Sequence, residues 1–213
     1  MLKIYAFPLS LPSNKVRYVA NYMGLDYEYV LVNLMAGEHM KEEHLKLHPA
    51  GKVPVIDDEG TVLFESGSII KYLAQKHGSP LYPDGLKERA DVDTWTDFVT
   101  IHVNNGVNRV FFNRVLAPVV GVEVDDRSVT DGLSFLDRFL PVVEKQLSES
   151  QYLAGDNLTL ADFNLLSVLD PAEAAQIDLS PYPNITKWRS RLQNEEFYTR
   201  CHKSYADALQ SAA

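Results

Sequence analysis

The sequence predicts two domains, an α/β domain over residues 1–77 and an all-α domain over residues 87–213. Three observations carry this reading. The first part alternates short β-branched and aromatic runs with amphipathic helical stripes. Beyond residue 86 no strand signal recurs, and the apolar residues fall at helical spacing. Between the two regimes lies GSPLYPDG, with two glycines and two prolines in eight residues, which reads as a linker over 78–86.

The elements follow in order. Leu2 to Phe7 suit a short strand that Pro8 ends. Val16, Val19, Ala20 and Met23 then recur at i, i+3, i+4 and i+7, the stripe of a helix closed by Gly24. A second strand is expected from Tyr27 to Val32 and a short helical segment from Lys41 to Leu47. The alternation at Val53 and Val55 and the run TVLF predict two more strands, joined by a turn at Asp57, Asp58, Glu59 and Gly60. A helix with apolar face Ile69, Ile70, Leu73 and Ala74 follows, with Ser66 as its expected N-cap. This order is a thioredoxin-like α/β arrangement. Helical patterns then run from Lys87 through Phe112, Asp126 to Leu147 and Leu160 to Leu169, with two more toward the C-terminus. Pro141 predicts a kink or break in the second. Thr159 and Asp162 have capping-box spacing, and Asp162 is read as structural.

Composition narrows the function. A 46% hydrophobic and 23% charged chain is ordinary for a globular protein and implies no disordered tract. The formal charge of −9 argues against nucleic acid, whose phosphates need a basic face. Residues 1–80 are nearly neutral, with 8 basic and 9 acidic side chains, so the acidity lies in the second part. The start MLKIYAFPLSL is broken at Pro8 and too short for a secretory apolar region, and no stretch is long enough to span a bilayer. With Cys201 as the single cysteine, no intramolecular disulfide or four-cysteine metal site can form. A cytoplasmic protein with no membrane partner is expected. His39, His44 and His48 are poorly spaced for a metal, because only His44 and His48 share a helical face and Pro49 ends that helix.

Residues 51–74, GKVPVIDDEGTVLFESGSIIKYLA, carry the densest chemistry. Pro54 has no N–H and belongs at a strand edge or turn; with a cis bond before it, the N–H and C=O of Val53 would point outward to pair with a ligand's peptide group. The start of the helix at Ser66 suits a carboxylate, and Glu65 supplies a negative charge for an ammonium. A peptide, a carboxylate and an amine are the polar groups of glutathione.

At these residues the chain resembles the glutathione S-transferase family, whose signature is VP followed by an ES pair and an apolar helix. PLSLPSNKVR, AGEHMKEEHL and YLAGDNLTLADFNLLSVLD extend the resemblance over nearly the whole chain. It implies a transferase that conjugates the glutathione thiolate to small hydrophobic electrophiles, with glutathione as co-substrate, no metal and a homodimeric state. Glutathione would contact His39, Lys52, Val53, Pro54, Glu65 and Ser66. His39 sits in AGEH, where similar enzymes use His for a carboxylate, while Met40 departs from the usual basic neighbour. His48 replaces the family's usual Asn before Pro.

The thiolate needs a stabilising hydroxyl. Ser10 opens SLPS, similar to a motif whose first Ser is the sulfur partner. Ser13, four residues before Arg17, matches the active Ser or Cys of bacterial classes with a longer turn. Either serine could instead cap the helix, a reading that suits Ser13 better, and Tyr5 reads as a core or opposite-face residue. The electrophile pocket is expected between the domains at His102, Asn105, Arg109 and Phe112, although an exposed or dimer-facing helix surface explains the same polar set. Two rival functions remain. One is another glutathione-dependent reaction, as in a peroxidase, reductase, etherase or dehalogenase, and the other is a non-catalytic glutathione-binding module.

Overall fold

The computed structural model describes residues 1–205 and divides into two compact units, one of residues 1–80 with those from Glu195 onward, the other of residues 81–194. The first unit is built on a four-stranded sheet of β1 (Leu2–Ala6), β2 (Tyr27–Leu31), β3 (Val55–Asp58) and β4 (Thr61–Phe64) in the order β2-β1-β3-β4. β1 and β2 are parallel, so they need a crossover, which α1 (Leu11–Tyr22) supplies. β3 and β4 are antiparallel to their neighbours. The short α2 (Glu42–Leu45) follows a 3-10 turn at Glu38–Met40, and α3 (Ser66–Lys76) follows β4. Val16, Val19 and Ala20 of α1 pack with Ile69, Ile70, Leu73 and Ala74 of α3 in a core that excludes water from all seven. Each such aliphatic side chain larger than Ala contributes about 1.5–3 kcal/mol. This is the thioredoxin-like arrangement that the strand and helix order predicts.

Two local expectations need correction. The strand expected from Val53 starts two residues later, at Val55, because Pro54 brings no N–H to a ladder. The turn is also tighter than the four residues expected. Asp58 still pairs with Thr61, which leaves Glu59 and Gly60, both at positive φ (55° and 93°), as a two-residue hairpin loop. Asp58 is thereby free to face inward, where it accepts from Tyr72 Oη at 2.9 Å and Lys76 Nζ at 2.6 Å.

The second unit is helical apart from one isolated bridge between Tyr152 and Gly155. Its long helix α4 spans residues 86–120 and widens into π-turns at Val99–Val103 and Phe112–Leu116. α4 crosses α5 (Asp126–Glu149) at two glycines, where a Cβ on Gly106 would lie 2.9 Å from the Gly132 carbonyl and one on Gly132 2.8 Å from that of Gly106. α5 runs through Pro141 without a break. Pro141 and Asp137 are both exposed, so water can reach the carbonyl left without its N–H partner.

All ten residues of α6 (Leu160–Leu169) are buried, as expected of a helix apolar on every side. α7 (Pro183–Gln193) follows. The last described helix, α8 (Glu196–Thr199), groups with the first unit rather than with the helical domain expected to reach residue 213. Its aromatic residues explain this: Phe197 and Tyr198 pack on Tyr18 of α1 with centroids 6.2 and 5.1 Å apart, and Asn21 Nδ2 donates to the Phe197 carbonyl at 3.1 Å. The end of that expected domain, residues 206–213, lies outside the described residues.

Candidate functional site

The sheet register assembles the site. Tyr5 pairs with Val55 and Val55 with Phe64, so the next steps along the chain bring Ala6–Phe7, Val53–Pro54 and Glu65–Ser66 to one edge of the sheet. The α1 start follows the first of these segments and the α3 start the last, so two helix N-termini lie at this edge; α3 has no side-chain cap, whereas in α1 Pro12 brings no N–H and Ser10 Oγ takes that of Ser13. Their dipoles favour an anion there. The Val53–Pro54 bond is cis, and the ladder stops at Val55, which leaves Val53 outside it.

Glu65 is the N-cap of α3, not Ser66, which is the first helical residue and is buried. Glu65 has φ 68° and ψ 107°, outside the regions open to a residue with a Cβ, while its side chain is exposed. Such strain costs on the order of 1–3 kcal/mol and persists where the surrounding structure imposes it. Glu65→Gly should therefore raise the thermal midpoint while removing the carboxylate from the edge. Differential scanning calorimetry checks this; a lower midpoint would contradict it.

At the start of α1 the two serines divide differently from the expectation. Ser10 is the N-cap, half-buried, with Oγ accepting the Ser13 N–H at 3.3 Å. Ser13, expected to cap the helix, is inside it and fully buried, with Oγ facing the Phe7 N–H at 3.5 Å. Pro8 and Leu9 extend the chain past β1, which moves the helix start to Leu11 and the cap to Ser10. A hydroxyl that accepts one N–H still has its own proton to donate, so the cap bond aims Ser10 Oγ without consuming its donor.

The segment between α2 and Pro54 completes the edge. His44 Nε2 donates to the Lys52 carbonyl at 2.8 Å, and the Lys52 side chain is exposed. His39 lies in the 3-10 turn. Its Nδ1 is buried with no hydrogen-bond partner among the described residues, and burial, then His44 and Lys52, hold its pKa below the ordinary value. Gly51, at φ 59°, cannot be replaced cheaply: a Cβ there would sit 2.9 Å from Met40 Sδ and 3.0 Å from the His39 carbonyl. Tyr5 points elsewhere, into a recess of about 390 Å³ lined also by Val30, Val32, His44 and Leu47.

In the second unit, His102, Asn105 and Arg109 come together on the side of α4 that faces α5. The His102 ring stacks on Phe139 at 4.5 Å. Arg109 Nε donates to Asn105 Oδ1 at 2.9 Å, and Arg109 Nη1 donates to Ser128 Oγ at 3.4 Å. Phe112 is exposed. Asn113 is structural, since it donates to the Arg109 carbonyl and accepts the Asp125 N–H.

Two family models match, the glutathione S-transferase N-terminal domain over residues 4–81 and the C-terminal domain over residues 94–196. The Zea mays protein glutathione S-transferase 1 is 35% identical over 195 residues, 90% of this chain and 91% of its own. Glutathione transferase F7 from Populus trichocarpa superposes with a TM-score of 0.88 at 28% identity over 98% of this chain and 99% of its own. Glutathione S-transferase I from mais, solved with an atrazine glutathione conjugate, gives 0.87 at 32% identity over 100% and 99%. The chain belongs to the glutathione S-transferase family.

One residue near this edge gave no signal in the sequence. Lys15 of α1 is buried, and desolvation brings its pKa down to about 8 against the opposing pull of Glu65. Its place beside the apolar stripe was no signal, because a lysine there ordinarily snorkels to solvent. No helix among the described residues is long and apolar enough to cross a membrane.

Proposed function

We propose that this protein is a cytoplasmic, homodimeric glutathione transferase that uses the Ser10 hydroxyl to stabilise the thiolate of bound glutathione for attack on small hydrophobic electrophiles. The observation that carries the reading is the convergence, at one sheet edge, of two helix N-termini, the Val53 backbone and the strained Glu65. The tripeptide aligns along Val53 as an added strand beside Pro54. Its γ-glutamyl end meets Glu65 and Ser66, and its glycine carboxylate meets His39 and Lys52. The sulfur then lies toward α1. A free thiol has pKa near ~8.5 and only its thiolate attacks, so a donated O–H raises the reactive fraction at neutral pH. The half-buried cap position of Ser10 supports it over Ser13, whose hydroxyl is shut inside the unit. On α4, His102 and Phe112 offer rings to an apolar electrophile and Asn105 and Arg109 offer polar contacts; the relative solved with an atrazine conjugate supports a substrate of that size.

A glutathione-affinity column followed by a panel of electrophiles tests the proposal. Retention with turnover supports it, retention without turnover leaves only a binding module, and no retention removes the glutathione reading. Glu65→Ala should weaken glutathione at least tenfold by calorimetry with the far-UV spectrum intact, since a charge-assisted contact is worth about 1.5–3 kcal/mol. Lys52 and Val53 on one side and Glu65 and Ser66 on the other thus form a clamp on the tripeptide, and unchanged affinity would contradict it. Sedimentation should give twice the chain mass of 24.0 kDa, and a monomer at micromolar concentration would count against the dimer.

A further inference from the structure

His48 has no role in the reaction described so far, yet its contacts reach both sides of the clamp. The residue is 4% exposed. Its Nδ1 accepts the Ala50 N–H at 3.2 Å, and its carbonyl accepts the Gly51 N–H at 2.8 Å. The side chain and the backbone of one residue thus close the turn that delivers Lys52 and Val53. The imidazole also lies against Phe64, with centroids 4.6 Å apart, and Phe64 is the residue immediately before Glu65.

We propose that neutral His48 is a positioning residue that braces the two arms of the glutathione clamp, and that its protonation loosens them, so that glutathione affinity falls in mildly acid solution. This rests on the glutathione reading above. The chemistry lies in one nitrogen. Nδ1 accepts a hydrogen bond only while it carries no proton, so the neutral ring holds its proton on Nε2. Protonation puts an N–H at Nδ1 against the Ala50 N–H, donor facing donor, in a site that also desolvates the new charge. His44 shows the opposite arrangement in the same segment. Its Nε2 faces the Lys52 carbonyl, so that bond persists whether or not the other nitrogen gains a proton.

The charged and titratable groups that face His48 are Glu65, His44 and Lys52. Burial is the largest influence and lowers the pKa of His48 below its ordinary 6.5, with His44 and Lys52 acting in the same direction and Glu65 and the residue's own backbone against it. The sign follows. A histidine whose pKa is depressed in the working conformation is neutral at pH 7, so the brace is intact there and is lost as pH falls through that lowered value. His39 also has a lowered pKa, but its protonation adds a positive charge beside the glycine carboxylate and so opposes the fall.

Calorimetry with S-methylglutathione, whose sulfur carries no proton, separates these groups between pH 5 and 7.5. The affinity of the unmodified protein should fall roughly three- to tenfold toward pH 5, as the competent fraction shrinks. In His48→Asn an uncharged Oδ1 can accept the Ala50 N–H, as Asn side chains do two residues along in Asx-turns. That variant should bind at pH 7.5 within about threefold of the unmodified protein and lose the acid fall. His39→Gln should bind more weakly at every pH and keep the fall. A flat profile in the unmodified protein, the same fall in His48→Asn, or its loss in His39→Gln would each overturn the proposal. Binding with a flat profile rejects only the role of His48, whereas no binding at any pH rejects the glutathione reading with it. Should His48→Asn fail to fold, the ¹⁵N spectrum of the unmodified protein decides. An Nε2–H tautomer titrating together with the affinity supports the brace, and an Nδ1–H tautomer overturns it.

Discussion

Replacing Asp162 with Ala should destabilise the protein by about 3–5 kcal/mol, since each buried donor left without its acceptor costs about 1–3 kcal/mol. The Asp162 carboxylate is fully buried and accepts four donors: the backbone N–H groups of Leu153 at 3.0 Å and Thr159 at 2.9 Å, the Thr159 hydroxyl at 3.1 Å and the Trp188 indole at 3.1 Å. Burial pushes its pKa up to about 6, and these four donors pull the other way. Alanine would leave all four without a partner in the dry interior. For a chain of this size the loss corresponds to a fall on the order of 10 °C in thermal midpoint. Asp162→Asn should also destabilise, since its amide sets a donor against donors. Calorimetric midpoints within 2 °C of the unmodified protein, on the order of 1 kcal/mol or less, would show that the network is not structural. Trp188 comes from α7, so the same carboxylate fastens the start of α6 to that helix and to the segment before it.

Ser10→Ala should lower turnover about 10- to 100-fold near pH 7 with little change in glutathione affinity. The estimate follows from one hydrogen bond to a charged group, about 1.5–3 kcal/mol, which is one to two pKa units on the bound thiol. Because Ser10 also caps α1, alanine should cost about 1 kcal/mol of stability, whereas Ser10→Gly should cost a few tenths. Equal loss of turnover in both variants assigns the effect to the hydroxyl rather than to the helix end. Turnover retained in Ser10→Gly would assign it to the cap.

The chain order of strands and helices and the change to an all-helical second part were legible in the sequence because each rests on the periodicity of its apolar residues. What was not legible depended on contacts across the chain. The move of the α1 cap from Ser13 to Ser10 turns on two residues, Pro8 and Leu9, that carry the chain past β1 before the helix begins. The one-residue shift of the α3 cap from Ser66 to Glu65 comes from a positive φ that no local preference of glutamate predicts. α8 joined the first unit because of a tertiary aromatic contact with Tyr18, invisible to any local window. The π-turns of α4 likewise leave no compositional mark.

If this sheet edge binds glutathione, it raises the anionic share of the sulfur at neutral pH. Thiolate absorbance near 240 nm, roughly, titrated on the glutathione complex of the unmodified protein, tests it most directly. The bound-thiol midpoint should lie at least about one unit below the free value of ~8.5, moved back toward that value in Ser10→Ala and unmoved in Ser13→Ala. A midpoint equal to that of free glutathione, or one that only Ser13→Ala displaces, would contradict it.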